Sequence, residues 1–230
     1  MPPSIFRRGA AELLGSAALT ATVVGSGIAA TGLSDDVGIQ LLINAIATAF
    51  GLFVLITVLG PISGAHFNPL VSVVDVAFGH RNARVVLPYI GTQIVGCIAG
   101  SVLANIMFDL PPVALSETDR ITPGHVVAEV VATAGLIIVI FVLARTGRSH
   151  FAAAGVATYI GAAYFFTSST SFANPAITIG RVFTDTFAGI APMSALLFIA
   201  AQIVGAAAGG AGVMLLTHRT TAEKDLSPAR

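Results

Sequence analysis

Apolar residues run along this chain in long stretches, roughly 9–33, 37–60, 85–108, 123–144, 151–168 and 189–217, with short polar breaks between them. A helix needs about 20 mostly apolar residues to cross a bilayer, so each stretch predicts a membrane-spanning helix. Two shorter apolar pieces are left over. They begin at Asn68 and Asn174, each followed by proline, and are too short to cross. The first stretch resembles a secretory leader in outline. It exceeds the usual apolar length of one and carries Glu12 near its start, which predicts a first span instead.

Composition agrees with a lipid-embedded chain. Of 230 residues, 55% are hydrophobic and 10% charged, and the mean hydropathy is +0.90. Soluble domains carry about a quarter charged residues. The net charge of zero points to no nucleic-acid partner. The single cysteine, Cys97, excludes an internal disulfide and a cysteine-based metal cluster; lying in an apolar run, it reads as a buried, inert thiol. No cofactor is implied. With no Trp, any interfacial aromatic belt rests on three Tyr and on Phe.

Six spans place both termini on one side. Arg7, Arg8, Arg81, Arg84, Arg145, Arg148, Arg219, Lys224 and Arg230 fall on that side, and only Arg120 and Arg181 fall opposite. By the positive-inside rule both termini are expected in the cytoplasm. Asp35, Asp36, Asp109, Glu117, Asp119 and Asp185 gather on the outer side. The tail, 218–230, is polar and reads as cytoplasmic and disordered.

The two halves repeat one another. Ala11-Glu12-Leu13-Leu14 matches Ala128-Glu129-Val130-Val131, and Asn68-Pro69-Leu70-Val71-Ser72 matches Asn174-Pro175-Ala176-Ile177-Thr178. Gln93-Ile94-Val95-Gly96 with Gly100 matches Gln202-Ile203-Val204-Gly205 with Gly209, so three motifs recur in order at offsets of 117, 106 and 109 residues. Three spans per half is an odd number, so the halves, about 9–108 and 123–217, enter the membrane from opposite faces. Inverted repeats of this kind build a pathway at the midplane from broken helices. The chain is thus expected to be one all-α membrane domain, 1–230, of six transmembrane helices and two re-entrant half-helices. Gly96/Gly100 and Gly205/Gly209 read as close helix packing.

Asparagine favours the N-cap and proline the first helical turn, so each Asn-Pro predicts the start of a short helix. Reversals around residues 63–66 and 168–171 let the chain dip in and return. Irregular backbone at membrane depth is tolerated where it is buried in protein or lines water, so the dips are expected to line a wet passage. The Asn oxygens would cap their own helices, leaving the NH₂ groups to donate into the lumen. Two positive helix ends meeting at the centre would oppose cations.

At these residues the sequence resembles the major intrinsic protein family, the aquaporins and glycerol facilitators. Ser63-Gly64-Ala65-His66-Phe67-Asn68-Pro69 is similar to that family's first signature loop and Asn174-Pro175-Ala176 to its second. The likeness covers roughly residues 8–217 and implies a pore in each subunit of a homotetramer in the plasma (inner) membrane. There are departures. Leu70 stands where the first box usually has Ala, and Ile177 where an Arg usually follows the second. Thr178 stands where glycerol channels often have Asp. Spacing from the two Asn carries the family's outer constriction onto Thr48, Ala162, Ser171 and Ile177, with Phe50 and Gly161 as neighbouring alternatives. That set holds no fixed cation, no His and no aromatic, and Arg181, one turn beyond Ile177, is not assumed to substitute.

A mouth without Arg implies a wider, less polar opening, open to glycerol, urea or a metalloid hydroxide such as As(OH)₃ as well as water. Ile in place of the Arg, paired with Thr48, resembles the bacterial subgroup associated with arsenic resistance. The alternative is an ordinary water and glycerol channel. The family likeness also implies that Glu12 and Glu129, at equivalent places, brace the dipping loops, with Gln93 and Gln202 beside them. A proton-relay pair is the sharper reading of the two carboxylates, though this passage needs no proton. His66 reads as a satisfied loop histidine rather than a pH gate. Asp75, Asp185 and Arg181 are expected near the surface.

Two other classes compete. A secondary transporter shares inverted repeats but needs a coupling-ion site, and neither Asn-Pro box has a carboxylate next to it; flux following an ion gradient would mark that class. An intramembrane enzyme needs a Ser/His pair, paired Asp or zinc ligands at suitable spacing, and His125 and His150 stand alone.

Overall fold

The computed structural model describes residues 3–217, so the tail at 218–230 lies outside it. Eight α-helices and three single 3-10 turns make up the described residues: α1 Ile5–Leu33, α2 Val37–Ser63, α3 Pro69–Ala77, α4 Val86–Met107, α5 Pro123–Arg145, α6 Ala152–Phe166, α7 Pro175–Gly180 and α8 Pro192–Thr217. Helices α3 and α7 are the two short pieces that open with Asn-Pro.

Local chemistry sets the helix limits. Ser4 accepts from Arg7 N–H, which starts α1 ahead of the apolar run. Asp36 caps α2, and Gly64, in the left-handed region at φ 97°, ends it. Thr122 caps α5 with Pro123 in its first turn. Helix α8 begins only at Pro192 rather than near residue 189, because residues 184–191 are drawn into a loop tied to Arg120.

Among the described residues five helices are long and apolar enough to cross a membrane. The sixth, α6, has 15 residues and follows a 3-10 turn at Ser149–Phe151. At about 1.5 Å per α residue and 2 Å per 3-10 residue the pair reaches about 28 Å, close to the ~30 Å hydrocarbon core.

The repeat is visible in the packing. α1 lies against α4 and α2, while α5 lies against α8 and α6. A Cβ on Gly96 or Gly100 would stand 2.5 or 2.3 Å from the Leu13 or Ala17 carbonyl of α1. One on Gly205 or Gly209 would stand 2.5 or 2.6 Å from the Val130 or Ala134 carbonyl of α5. Only glycine permits that backbone contact, and both halves use it at equivalent positions. The outer faces carry exposed Phe50, Leu87, Leu196 and Leu215. The interior buries Glu12, Gln93, Glu129 and Gln202 completely.

Candidate functional site

Each half-helix is preceded by backbone that L-residues rarely adopt. Ala65 and Phe67 lie at φ 50° and 49°, and Ser171 and Ala173, 106 residues on, at 53° and 47°. Such conformations cost on the order of 1–3 kcal/mol each and persist only where surroundings impose them. Here two carboxylates impose them. Glu12 accepts from His66 N–H at 3.0 Å and Phe67 N–H at 2.7 Å. Glu129 accepts from Phe172 N–H and Ala173 N–H, both at 2.9 Å, and from Ser169 Oγ at 2.6 Å.

A glutamine holds each carboxylate in turn. Gln93 Nε2 donates to Glu12 at 2.8 Å and to Ser72 Oγ at 3.0 Å. Gln202 Nε2 donates to Glu129 at 2.6 Å and to Thr178 Oγ1 at 2.9 Å. Ser72 and Thr178 donate back to the carbonyls of Asn68 and Asn174. Thr178, standing where glycerol channels often have Asp, is thereby a bracing group rather than a charge. Leu70 packs in an apolar cluster with Val71, Ile137 and Phe141.

The half-helix tips meet. Asn68 Oδ1 accepts from Leu70 N–H at 3.0 Å, and Asn174 Oδ1 from Ala176 N–H at 3.0 Å and Ile177 N–H at 3.4 Å. The NH₂ groups reach across: Asn68 donates to Ala173 carbonyl at 2.8 Å and Asn174 to Phe67 carbonyl at 2.7 Å. Each NH₂ carries two hydrogens. One is spent on the opposite loop, which corrects the expectation that the whole group serves the lumen, and one is left to donate.

Both Asn side chains line a cavity of about 570 Å³ that runs from Ser149 and His150 at one end to Arg181 at the other. Leu19, Val23, Leu52 and Val156 form an apolar wall facing the tips. At the end nearest the terminus side, Asp75 gathers Arg81 Nε at 2.8 Å, His80 Nδ1 at 3.2 Å and His66 Nε2 at 3.5 Å. His66 also meets Ser72 Oγ at 3.0 Å. Asp75 is 8% exposed, so its expected surface position is corrected: the Arg81 ion pair and the two imidazoles beside it draw it inward.

Thr48, Ser171 and Ile177 line the far end of the cavity, but Ala162 does not. Ala162 is exposed, and Ile160 and Tyr164 turn inward in its place. The long second dip, from Thr167 to Ala173, shifts α6 by two residues from the position that counting back from Asn174 indicates. Phe50, the alternative on α2, faces outward at 70% exposure. Thr48 Oγ1 lies 3.0 Å from Tyr164 OH.

The expectation of a mouth with neither cation nor aromatic is also corrected. Tyr164 and Phe172 line it, and so does Arg181, only 3% exposed. The 3-10 turn at Arg181–Phe183 that follows α7 swings this side chain back inward. Its Nε donates to the Ala188 carbonyl, and its Cζ stacks 3.4 Å above the Phe172 ring centroid. Asp185 is exposed, as expected. Cys97 is fully buried beside Ser16.

Comparison with known proteins places this geometry among relatives. The family model "Major intrinsic protein" matches residues 2–172. The aquaglyceroporin AqpS of Rhizobium meliloti is 47% identical over 202 residues, covering 88% of this chain and 86% of its own. An aquaporin Z of Bradyrhizobium diazoefficiens is 32% identical over 233 residues, covering 94% and 95%. The crystal structure of the aquaglyceroporin from Plasmodium falciparum superposes with a TM-score of 0.67 at 20% identity, over 97% of this chain and 100% of the other.

Proposed function

The chain belongs to the major intrinsic protein family, and we propose that, as an aquaglyceroporin-type channel, it passes small neutral polyhydroxylated solutes: glycerol, metalloid hydroxides such as As(OH)₃, and water. One observation carries the solute class. At the outer end of the cavity the hydroxyls of Thr48, Tyr164 and Ser171 share the lumen with the apolar side chains of Ile160 and Ile177. Ser171 Oγ is buried and makes no hydrogen bond among the described residues.

A neutral solute gives up hydration on entering a narrow pore, and buried polar groups must replace those bonds. The hydroxyls do so along one wall while Ile160 and Ile177 take the carbon or metalloid side. At the centre the remaining hydrogens of Asn68 and Asn174 donate to solute oxygens. The two positive helix ends there oppose cations, including a proton relayed along water. The solute then leaves past Asp75 and Arg81. Thr48, Ser171, Ile177 and Tyr164 act as the filter, and Glu12, Glu129, Gln93, Gln202 and His66 hold the loops. The working form is a homotetramer in the plasma membrane with both termini cytoplasmic, the side of nine of the eleven Arg and Lys.

Arg181 at the mouth favours a second reading, a water and glycerol channel with no metalloid role. Proteoliposomes distinguish the two by water, glycerol and arsenite permeability measured side by side. Arsenite flux no faster than in empty liposomes, with water and glycerol flux intact, removes the metalloid assignment. Solute flux that follows a sodium or proton gradient would mark a transporter instead.

A further inference from the structure

Of the two basic side chains on the outer side, both converge on one ring. Arg181 Cζ lies 3.4 Å and Arg120 Cζ 5.5 Å from the centroid of Phe172. Arg120 is held away from the cavity lining, Nε donating to the Gly189 carbonyl at 2.8 Å and Nη2 to the Phe187 carbonyl at 3.0 Å. Arg181 differs. Its Nε is bound to Ala188, but Nη1 and Nη2 make no hydrogen bond among the described residues and are not among the fully enclosed polar atoms. Its side chain lines the cavity. Two charged donors are therefore held at the mouth without a protein acceptor.

We propose that Arg181 is the specificity-determining cation of the outer constriction, delivered from the 3-10 turn after α7 rather than from the position occupied by Ile177, and that Phe172 positions it. The inference rests on the channel reading above. The outer loop fixes the geometry: Ser116 N–H binds the Val182 carbonyl at 2.9 Å, and Ala191 N–H the Thr118 carbonyl at 2.8 Å. The turn carrying Arg181 is thus fastened on both sides, and the Phe172 ring against its Cζ fixes where the fork sits at the cavity. A planar, delocalised guanidinium suits this place better than an ammonium, because it stacks and still presents two donors. Its bulk limits solute width, and its charge adds to the helix ends in opposing cations.

The test is permeability in proteoliposomes for glycerol and for a five-carbon polyol, with Arg181→Ala, Arg181→Lys and Phe172→Leu compared at equal inserted protein. Arg181→Ala is expected to lower the glycerol preference about tenfold, the scale on which a pocket discriminates one or two methylenes. Arg181→Lys and Phe172→Leu should fall between, and Arg181→Ala alone should admit methylammonium. Folding defects lower all fluxes together and leave the ratio unmoved, so the ratio isolates the filter. If Arg181→Ala inserts poorly, the other two variants carry the same comparison. Unchanged ratios in all variants that insert overturn the assignment of Arg181. A wild-type protein that passes neither polyol overturns the aquaglyceroporin-type reading itself, and this inference with it.

Discussion

The side-chain amide of Asn174 donates to the carbonyl of Phe67 across 107 residues of chain, at 2.7 Å, and Asn68 returns the bond to Ala173. The two halves are thus latched where both Asn side chains line the cavity. Asn174→Ala removes the α7 cap, about 0.5–2 kcal/mol, and leaves a buried carbonyl unpaired, about 1–3 kcal/mol. Thermal stability in detergent and glycerol permeability should both fall, the latter by about tenfold for one lost hydrogen bond of ~1.4 kcal/mol. Asn174→Asp keeps the capping oxygen but not the donor. It should recover more of the thermal midpoint than of the flux; equal recovery of both would mean that the donor does nothing for solute.

The two buried carboxylates should differ in severity. Glu129 accepts from four donors, Ser169, Phe172, Ala173 and Gln202. Glu12 accepts from three, His66, Phe67 and Gln93. Truncation strands buried N–H groups at about 1–3 kcal/mol each. Glu129→Ala is therefore expected to melt lower than Glu12→Ala, and Glu→Gln at either site to lie between, as read by thermal unfolding in detergent. A reversed order would show that the Ser169 bond carries no weight.

How much of this was legible beforehand depends on what repeats. Glu12/Glu129, Asn68/Asn174 and Gln93/Gln202 recur in order, and polar residues are rare enough in apolar helices that their repetition stands out. The membrane class followed from the long apolar runs, and the inverted halves with their dipping segments from these repeats. The mouth was less legible, because its shape depends on loop length. Counting back from Asn174 pointed to Ala162, whereas the Thr167–Ala173 dip brings Tyr164 inward. Nearly every residue of α6 is apolar, so no polar stripe marked its inner face. The buried set Val156, Ile160, Ala163, Tyr164 follows a 3.6-residue period that becomes visible only once packing is known. Arg181 was placed at the surface because α7 was assumed to continue straight. A 3-10 turn, which no residue pattern announced, turns it back.

Helix contact gives a clean contrast within α4. A Cβ on Gly100 would meet the Ala17 carbonyl at 2.3 Å, while one on Gly91 meets nothing within 4 Å. Gly100→Ala must push α1 away and should cost about 1–3 kcal/mol. Gly91→Ala should gain up to about 1 kcal/mol from helix propensity. Thermal unfolding of the pair checks this, and similar midpoints would show that α1 and α4 are not so tightly seated.

Acid should loosen the loop between α4 and α5 through Asp119. Ser194 Oγ donates to its carboxylate at 2.7 Å and Ile121 N–H at 2.9 Å, and these bonds hold the carboxyl below its usual range. A depressed folded value stabilises above the unfolded value of about 3.9 and is lost as pH falls through the folded one. Wild-type protein should therefore lose stability on acidification below about pH 4 more steeply than Ser194→Ala, which starts lower. Parallel pH profiles would remove Asp119 from the account.

Ile177→Arg tests the mouth directly. Ile177 lines the cavity, 7% exposed, one turn before Arg181. A second guanidinium there adds volume to the lumen and sits near the first. Two like charges about 6 Å apart repel by about 1–3 kcal/mol at intermediate dielectric. The new side chain should displace Arg181 from Phe172 or block the passage beside it, and either narrows the route for wide solutes first. Glycerol and arsenite permeability are expected to fall by about tenfold, the scale of a pocket shortened by one or two methylenes, while water permeability falls much less. Equal losses of water and glycerol would mean a plugged or misfolded pore, and unchanged fluxes would mean that solute does not pass beside Ile177 at all.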